Sequence, residues 1–238
     1  MFARQTIKTS TWLKRATWIF FGLMLAPTAC ADVTVMPIGY SRVKGDPPEF
    51  DTWRYPLAQR IAAENCGIDL VGTLDGLDYG SVYDDDHASL GGYTTHDIIG
   101  QLPRVLRRIG EPDVAIVSIG GNDLQLGDRS RAILGRVDEI ISILQCAHSE
   151  MVIILEQIAP GSSHAMAKDR LGQFDGFNSG IGDLLAQRSR ADAPIYVADI
   201  RVGFTQSMLV DDVHMNADGA AHVASVFWRI LSDKVGLC

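Results

Sequence analysis

Positive charge is scarce in this chain. Its 21 lysines and arginines face 29 aspartates and glutamates, for a net charge of −8. Four of the basic residues, Arg4, Lys8, Lys14 and Arg15, fall in positions 1–31, which hold no acid; the remainder carries 17 basic against 29 acidic residues, or −12. A nucleic-acid partner is therefore not expected, because such a partner calls for a basic face. Long apolar runs are missing as well. The one continuous stretch, Ala16 to Ala26, is short for a membrane span, so no stable membrane insertion is expected. The chain has no Gly-x-Ser-x-Gly elbow, which removes support for the common α/β-hydrolase arrangement. It has no internal repeat, low-complexity tract or interdomain linker. With 238 residues, 47% of them hydrophobic, it suits one domain with a sizeable core.

The first 31 residues read as a leader rather than as part of the fold. A basic start is followed by the apolar run and then by Ala29-Cys30-Ala31, a small-x-small cleavage site. This is the pattern of a secretory signal, and it implies a secreted or periplasmic protein. The chain from 32 onward keeps Cys66, Cys146 and Cys238, an odd count that leaves one thiol free or paired with another chain.

From Val33 the chain alternates strand and helix. Expected strands are Val33–Gly39, Ile68–Gly72, Val114–Ile119, Met151–Glu156 and Ile195–Asp199. Expected helices are Trp53–Cys66, one from Thr94 or Thr95 to Arg108 that Pro103 would bend, Ser130–Cys146, one ending near Gln187, and Ala217–Leu231. Val114–Ile119 is apolar on both faces except at Ser118, as strands are in parallel sheets covered by helices. The expected fold is a three-layer α/β/α domain with a five-stranded parallel sheet. Ligand-handling residues in such sheets lie just beyond the carboxyl ends of strands. Ser41, Asn122 and His214 each follow a strand in this way. If the strand order is 2-1-3-4-5, the first and last helices share one face and end on the side away from those residues. That pairs Cys66 with Cys238 and leaves Cys146 free.

Four pieces carry chemistry: Pro37-Ile38-Gly39-Tyr40-Ser41, His87-Ala88-Ser89-Leu90-Gly91-Gly92-Tyr93-Thr94, Gly120-Gly121-Asn122-Asp123, and Asp211-Asp212-Val213-His214 with Asn216 and Gly219. A carboxylate three residues before a histidine can orient its imidazole, which can then act as base for a hydroxyl brought from elsewhere. In this order the pieces resemble the GDSL, or SGNH, hydrolase superfamily, from about Val33 to Leu231. The wording is most similar to secreted carbohydrate esterases of the acetyl-xylan-esterase kind. The resemblance implies a flavodoxin-like SGNH fold, with Ser41 as nucleophile, His214 as base and then acid, and Asp211 orienting His214. It further implies an oxyanion hole of the Ser41 N–H, the Gly92 N–H and the Asn122 amide. Beside the resemblance, Tyr40 and Tyr93 are candidates for the substrate site, with a place in the core as the alternative for Tyr93. The implied reaction is hydrolysis of a small acyl ester, acetyl first, on a carbohydrate through an acyl-enzyme. No metal or cofactor is expected.

One residue departs from the pattern. The family carries aspartate directly before the serine, where this chain has Tyr40, followed by the bulkier Arg42, Val43 and Lys44. Either Tyr40 lines the substrate site and Ser41 stays active, or the turn is re-aimed and the site disabled. Three functions therefore compete: the carbohydrate deacetylase, a lipid or aryl ester hydrolase sharing every catalytic residue, and a glycan-binding protein on an inactive hydrolase fold. Asp84-Asp85-Asp86-His87 lacks the spacing and glycine of a calcium loop and reads as solvated loop. Asp123 reads as a turn and helix-entry residue, and His222 as structural or exposed.

Overall fold

The elements form where apolar periodicity places them. In chain order they are β1 (Val33–Gly39), α1 (Ser41–Lys44), α2 (Arg54–Glu64), β2 (Ile68–Leu70), β3 (Ala88–Ser89), α3 (Thr95–Ile109), β4 (Val114–Ser118), α4 (Gly121–Leu126), α5 (Ser130–Ala147), β5 (Val152–Gln157), α6 (Lys168–Arg188), β6 (Ile195–Asp199) and α7 (Ala217–Ile230). They come from a computed structural model that describes residues 33–75, 84–159, 161–162 and 168–238. The leader expected at 1–31 lies outside the described residues, as do positions 32, 76–83, 160 and 163–167.

Five parallel strands run in the order β2-β1-β4-β5-β6. This is the expected three-layer α/β/α architecture. Val35, Val114, Ile116 and Ile154 meet α2 and α7 on one face, while Met36, Ala115, Val117, Ile153 and Leu155 meet α3, α5 and α6 on the other. Alternate residues thus face opposite cores, and both sets are apolar, which is why the strands read as near-continuous hydrophobic runs. On α5, Ile133, Val137, Ile140, Ile141 and Leu144 are all fully buried, the spacing of a single helix face. Each such side chain contributes about 1.5–3 kcal/mol by leaving water. Helix α3 runs unbroken through Pro103 and starts from a capping box formed by Thr94 and Asp97.

The expected second strand is shorter than its apolar run. β2 pairs with Val33–Val35 only, and β3 takes the same edge of β1 further on, pairing with Ile38 and Gly39. The chain between β2 and α3, where no strand is expected, therefore supplies a sixth, two-residue strand. Disulfide Cys66–Cys238 closes the first and last helices together on the shared face, and Cys146 is free.

The acidic run before β3 is less solvated than its composition implies. Asp84 is exposed as a residue, yet it accepts the Leu70 N–H, and partial burial of its carboxyl pushes it up to about 6. Arg54 donates to the Asp85 carbonyl. His87 is 3% exposed and accepts the Ser89 N–H at Nδ1. Burial, and then the charge of Arg54, lowers its pKa to about 3. A histidine lowered in the folded state takes its proton more readily when unfolded. Its contribution to stability is thus complete above the ordinary value near 6.5 and is lost as pH falls toward about 3. His87→Gln is expected to remove roughly 2–3 kcal/mol of the stability loss between pH 6.5 and pH 4. Urea midpoints of both proteins at the two pH values check this, and parallel declines would sink it.

Candidate active site

The site gathers at the carboxyl ends of the strands. Gly39 ends β1 against β4 so closely that a Cβ there would lie 2.2 Å from the Ser118 carbonyl oxygen. Tyr40 follows in extended conformation and caps α1 without a side-chain hydrogen bond. Ser41 then opens α1. The Tyr40 ring does not point outward: it is 4% exposed and lies against Gly121, lining the cleft from beneath. Burial holds its phenol protonated far above the ordinary range.

Ser41 and His214, 173 residues apart, meet with Nε2 3.0 Å from Oγ. The turn in front of α7 makes this contact possible. Asp211 Oδ1 accepts the Val213 and His214 N–H groups at 2.7 and 2.6 Å, and Oδ2 lies 2.7 Å from His214 Nδ1. Burial works to raise the Asp211 pKa, but these hydrogen bonds outweigh it and hold the carboxyl below its usual range. The adjacent carboxylate, Asp212, faces Ser162 instead. Phe50, from the loop after α1, stacks on the imidazole with centroids 4.0 Å apart. That loop is tied to the same turn by the Asp51 N–H donating to the Met215 carbonyl. A hydroxyl, imidazole and carboxylate in this sequence can move a proton from oxygen to nitrogen while the carboxylate fixes the ring's tautomer.

Asn122 lies in the first turn of α4. One hydrogen of its Nδ2 goes to the Tyr93 carbonyl at 2.9 Å, leaving the second for the cleft. Gly92, with φ +82°, takes a conformation that a side chain would strain. Asp123 is more than a turn residue. It is 1% exposed and accepts the Thr95 N–H at 3.0 Å, the Thr95 hydroxyl, and Arg136 of α5 at 3.0 Å. It therefore locks α4, and Asn122 with it, to the start of α3.

Gly92, Asn122, Ser41 and His214 all border one cleft of about 330 Å³, whose far wall is Ile158, Ala159 and Phe174. Of the two tyrosines expected at the substrate site, only Tyr40 lines this cleft. The Tyr93 side chain turns away, packs against the core and contacts Gln101. His222 Nε2 donates to the Ile200 carbonyl, 3.0 Å away, in a structural setting. Three residues gained no role from the sequence: Phe50, in a polar loop; Arg42, beside Ser41; and Glu156, a charge inside an apolar strand. The last two are visible as charged residues where apolar ones are usual. Phe50 left no comparable signal.

Residues 44–222 match the model of the GDSL-like Lipase/Acylhydrolase family. The match begins just after Ser41, so the stretch with Tyr40 in place of aspartate lies outside it. Among solved structures, a family 3 carbohydrate esterase from Talaromyces cellulolyticus is similar with a TM-score of 0.74 at 24% identity, over 84% of this chain and 97% of that one. A serine-to-alanine mutant of an acetyl esterase, solved with an acetate ion, gives 0.72 at 24% identity over 84% and 99%. A family 3 carbohydrate esterase of Clostridium thermocellum gives 0.72 at 20% over 85% and 96%. At these identities the likeness is one of fold. No curated protein matches the chain in sequence.

Proposed function

Because the chain belongs to the GDSL-like lipase/acylhydrolase family, we propose that it is a serine esterase removing a small acyl group, acetyl first, from a carbohydrate. The observation that carries this is the 3.0 Å contact of Ser41 Oγ with His214 Nε2 at the mouth of the cleft.

Ser41 Oγ attacks the ester carbonyl carbon and gives its proton to Nε2. The carbonyl oxygen becomes negative and is met by the Ser41 N–H, the Gly92 N–H and the second Asn122 Nδ2 hydrogen, donors of three residues that border the cleft. Removing one such donor typically costs about 3–4 kcal/mol at the transition state. The bond to the alkoxy oxygen breaks, and the imidazolium returns the proton to the leaving alcohol. Water then repeats the sequence on the acyl-enzyme, releasing the carboxylate and restoring Ser41. Asp211 keeps the Nδ1 proton in place and balances the imidazolium.

A cleft of about 330 Å³ is near the lower end for small-molecule sites, which favours a short acyl group. The carbohydrate assignment draws on what the similar structures are named for. Export to the periplasm or outside the cell is supported by the leader-like segment 1–31 and by disulfide Cys66–Cys238. Among the described residues no helix is long and apolar enough to cross a membrane.

The test is p-nitrophenol release from the acetyl and octanoyl esters, beside Ser41→Ala, with acetylated xylan as polymer substrate. Fast acetyl turnover falling at least about 10³-fold in the mutant is expected. Preference for octanoyl would replace the carbohydrate reading with a lipid-ester one. Equal rates in mutant and wild type would leave a binding protein.

A further inference from the structure

Arg42 follows Ser41 in α1 and is 4% exposed. A guanidinium so buried needs acceptors and a counter-charge. Its Nε donates to the Val213 carbonyl at 2.7 Å, and its Nη1 donates to the Ala159 carbonyl at 2.9 Å. Val213 is the residue before His214, and Ala159 lies in the segment leaving β5 that walls the cleft. The Phe204 ring centroid stands 5.9 Å from the guanidinium carbon.

A buried acid lies near the guanidinium. Glu156, at the end of β5, is 3% exposed. Burial raises its pKa, while the nearby Ser118 hydroxyl and the Arg42 charge oppose the rise. The Tyr40 hydroxyl is buried close to both Glu156 and Arg42 without reaching hydrogen-bond geometry with either. Arg42 thus has two carbonyl acceptors and a buried acid nearby.

We infer that Arg42 is a positioning residue that sets the Ser41–His214 contact. One end of that contact is covalently next to Arg42; the other is held through the Val213 carbonyl. The same side chain therefore fixes both partners of the 3.0 Å approach. The turn holding His214 has further ties, from Asp51 to Met215 and from Ser162 to Asp212, but those reach it from other segments. The role suits the departure at position 40. Tyr40 offers α1 no side-chain cap, so the nucleophile's short helix is anchored from its second residue instead. Lysine cannot replace the fork, since a single nitrogen cannot reproduce two donors on a rigid plane.

The inference rests on the esterase reading, and the experiment separates the two. Arg42→Met, Arg42→Lys and Ser41→Ala are compared with the wild type on p-nitrophenyl acetate, at a temperature where tryptophan fluorescence shows each fully folded. Misplacing reacting groups by about 1 Å can cost about 10²-fold. Arg42→Met should lose about 100-fold in kcat with KM within threefold, and Arg42→Lys about 10-fold. A kcat within twofold of wild type in Arg42→Met overturns the inference, as does a loss carried by KM. If Arg42→Met does not fold, Arg42→Lys decides: unchanged kcat overturns the inference, and the tenfold loss supports it. A Ser41→Ala protein as fast as wild type overturns the esterase reading, and this one with it.

Discussion

Replacing His214 by alanine is expected to lower kcat on p-nitrophenyl acetate by about 10⁴-fold. Three features make the loss large. Nε2 lies 3.0 Å from the hydroxyl it must deprotonate. The cleft is bordered by no other histidine and by no carboxylate among the described residues, so no neighbour is placed to take over. The same imidazole would also protonate the leaving alcohol, so both halves of the reaction lose their proton carrier. Ser41→Ala and the double variant should fall to the same residual rate, because the two groups act as a unit and their effects do not add. Steady-state rates of the two single variants and the double variant check this. A double variant slower than either single by the product of their effects would mean that the pair does not share one step.

The second large effect is on stability. Cys66→Ser is expected to lower the unfolding free energy by about 4–5 kcal/mol, because the bond Cys66–Cys238 spans a sequence separation of 172 and restrains the unfolded chain. For a domain of this size that corresponds to a fall in Tm of roughly 10–20 °C. Calorimetry of the variant beside the wild type, each with and without reductant, measures it. Reductant should move the wild type toward the variant and leave the variant where it is. The effect should be confined to stability. The bond joins the ends of the helices at the amino-terminal edge of the sheet, so kcat at 25 °C should stay within about twofold. An unchanged Tm would show that the cross-link leaves the unfolded ensemble as it was.

The fold was legible because its signals are local or nearly so. Val114–Val117 is apolar on both faces, and that alone calls for helices on both sides of a parallel sheet. Once the strand order is 2-1-3-4-5, Cys66 and Cys238 fall at neighbouring helix ends and Cys146 on the opposite face, as the structure has it. What stayed illegible depends on contacts between distant segments. β3 has two residues, too few for a periodicity, and exists because β2 stops early and leaves part of β1 unpaired. Phe50 stacks on a histidine 164 positions away in a polar loop that gives no pattern. Tyr93 stands beside two glycines of the cleft, yet its side chain turns inward to Gln101. Arg42 and Glu156 were visible as charges in apolar surroundings, but which backbone carbonyls the guanidinium would reach could not be read along the chain.

The disulfide corner also decides how this domain can be held. The Val33 N–H donates to the Gly67 carbonyl beside Cys66, and Cys66 is bonded to Cys238. Val33 and Cys238 therefore lie at one corner, while Ser41 sits past the far end of β1, whose seven residues span about 23 Å at roughly 3.3 Å per residue. Attached at that corner to a bead or a cell surface, residues 33–238 would present the cleft away from the support, where an insoluble polymer could reach it.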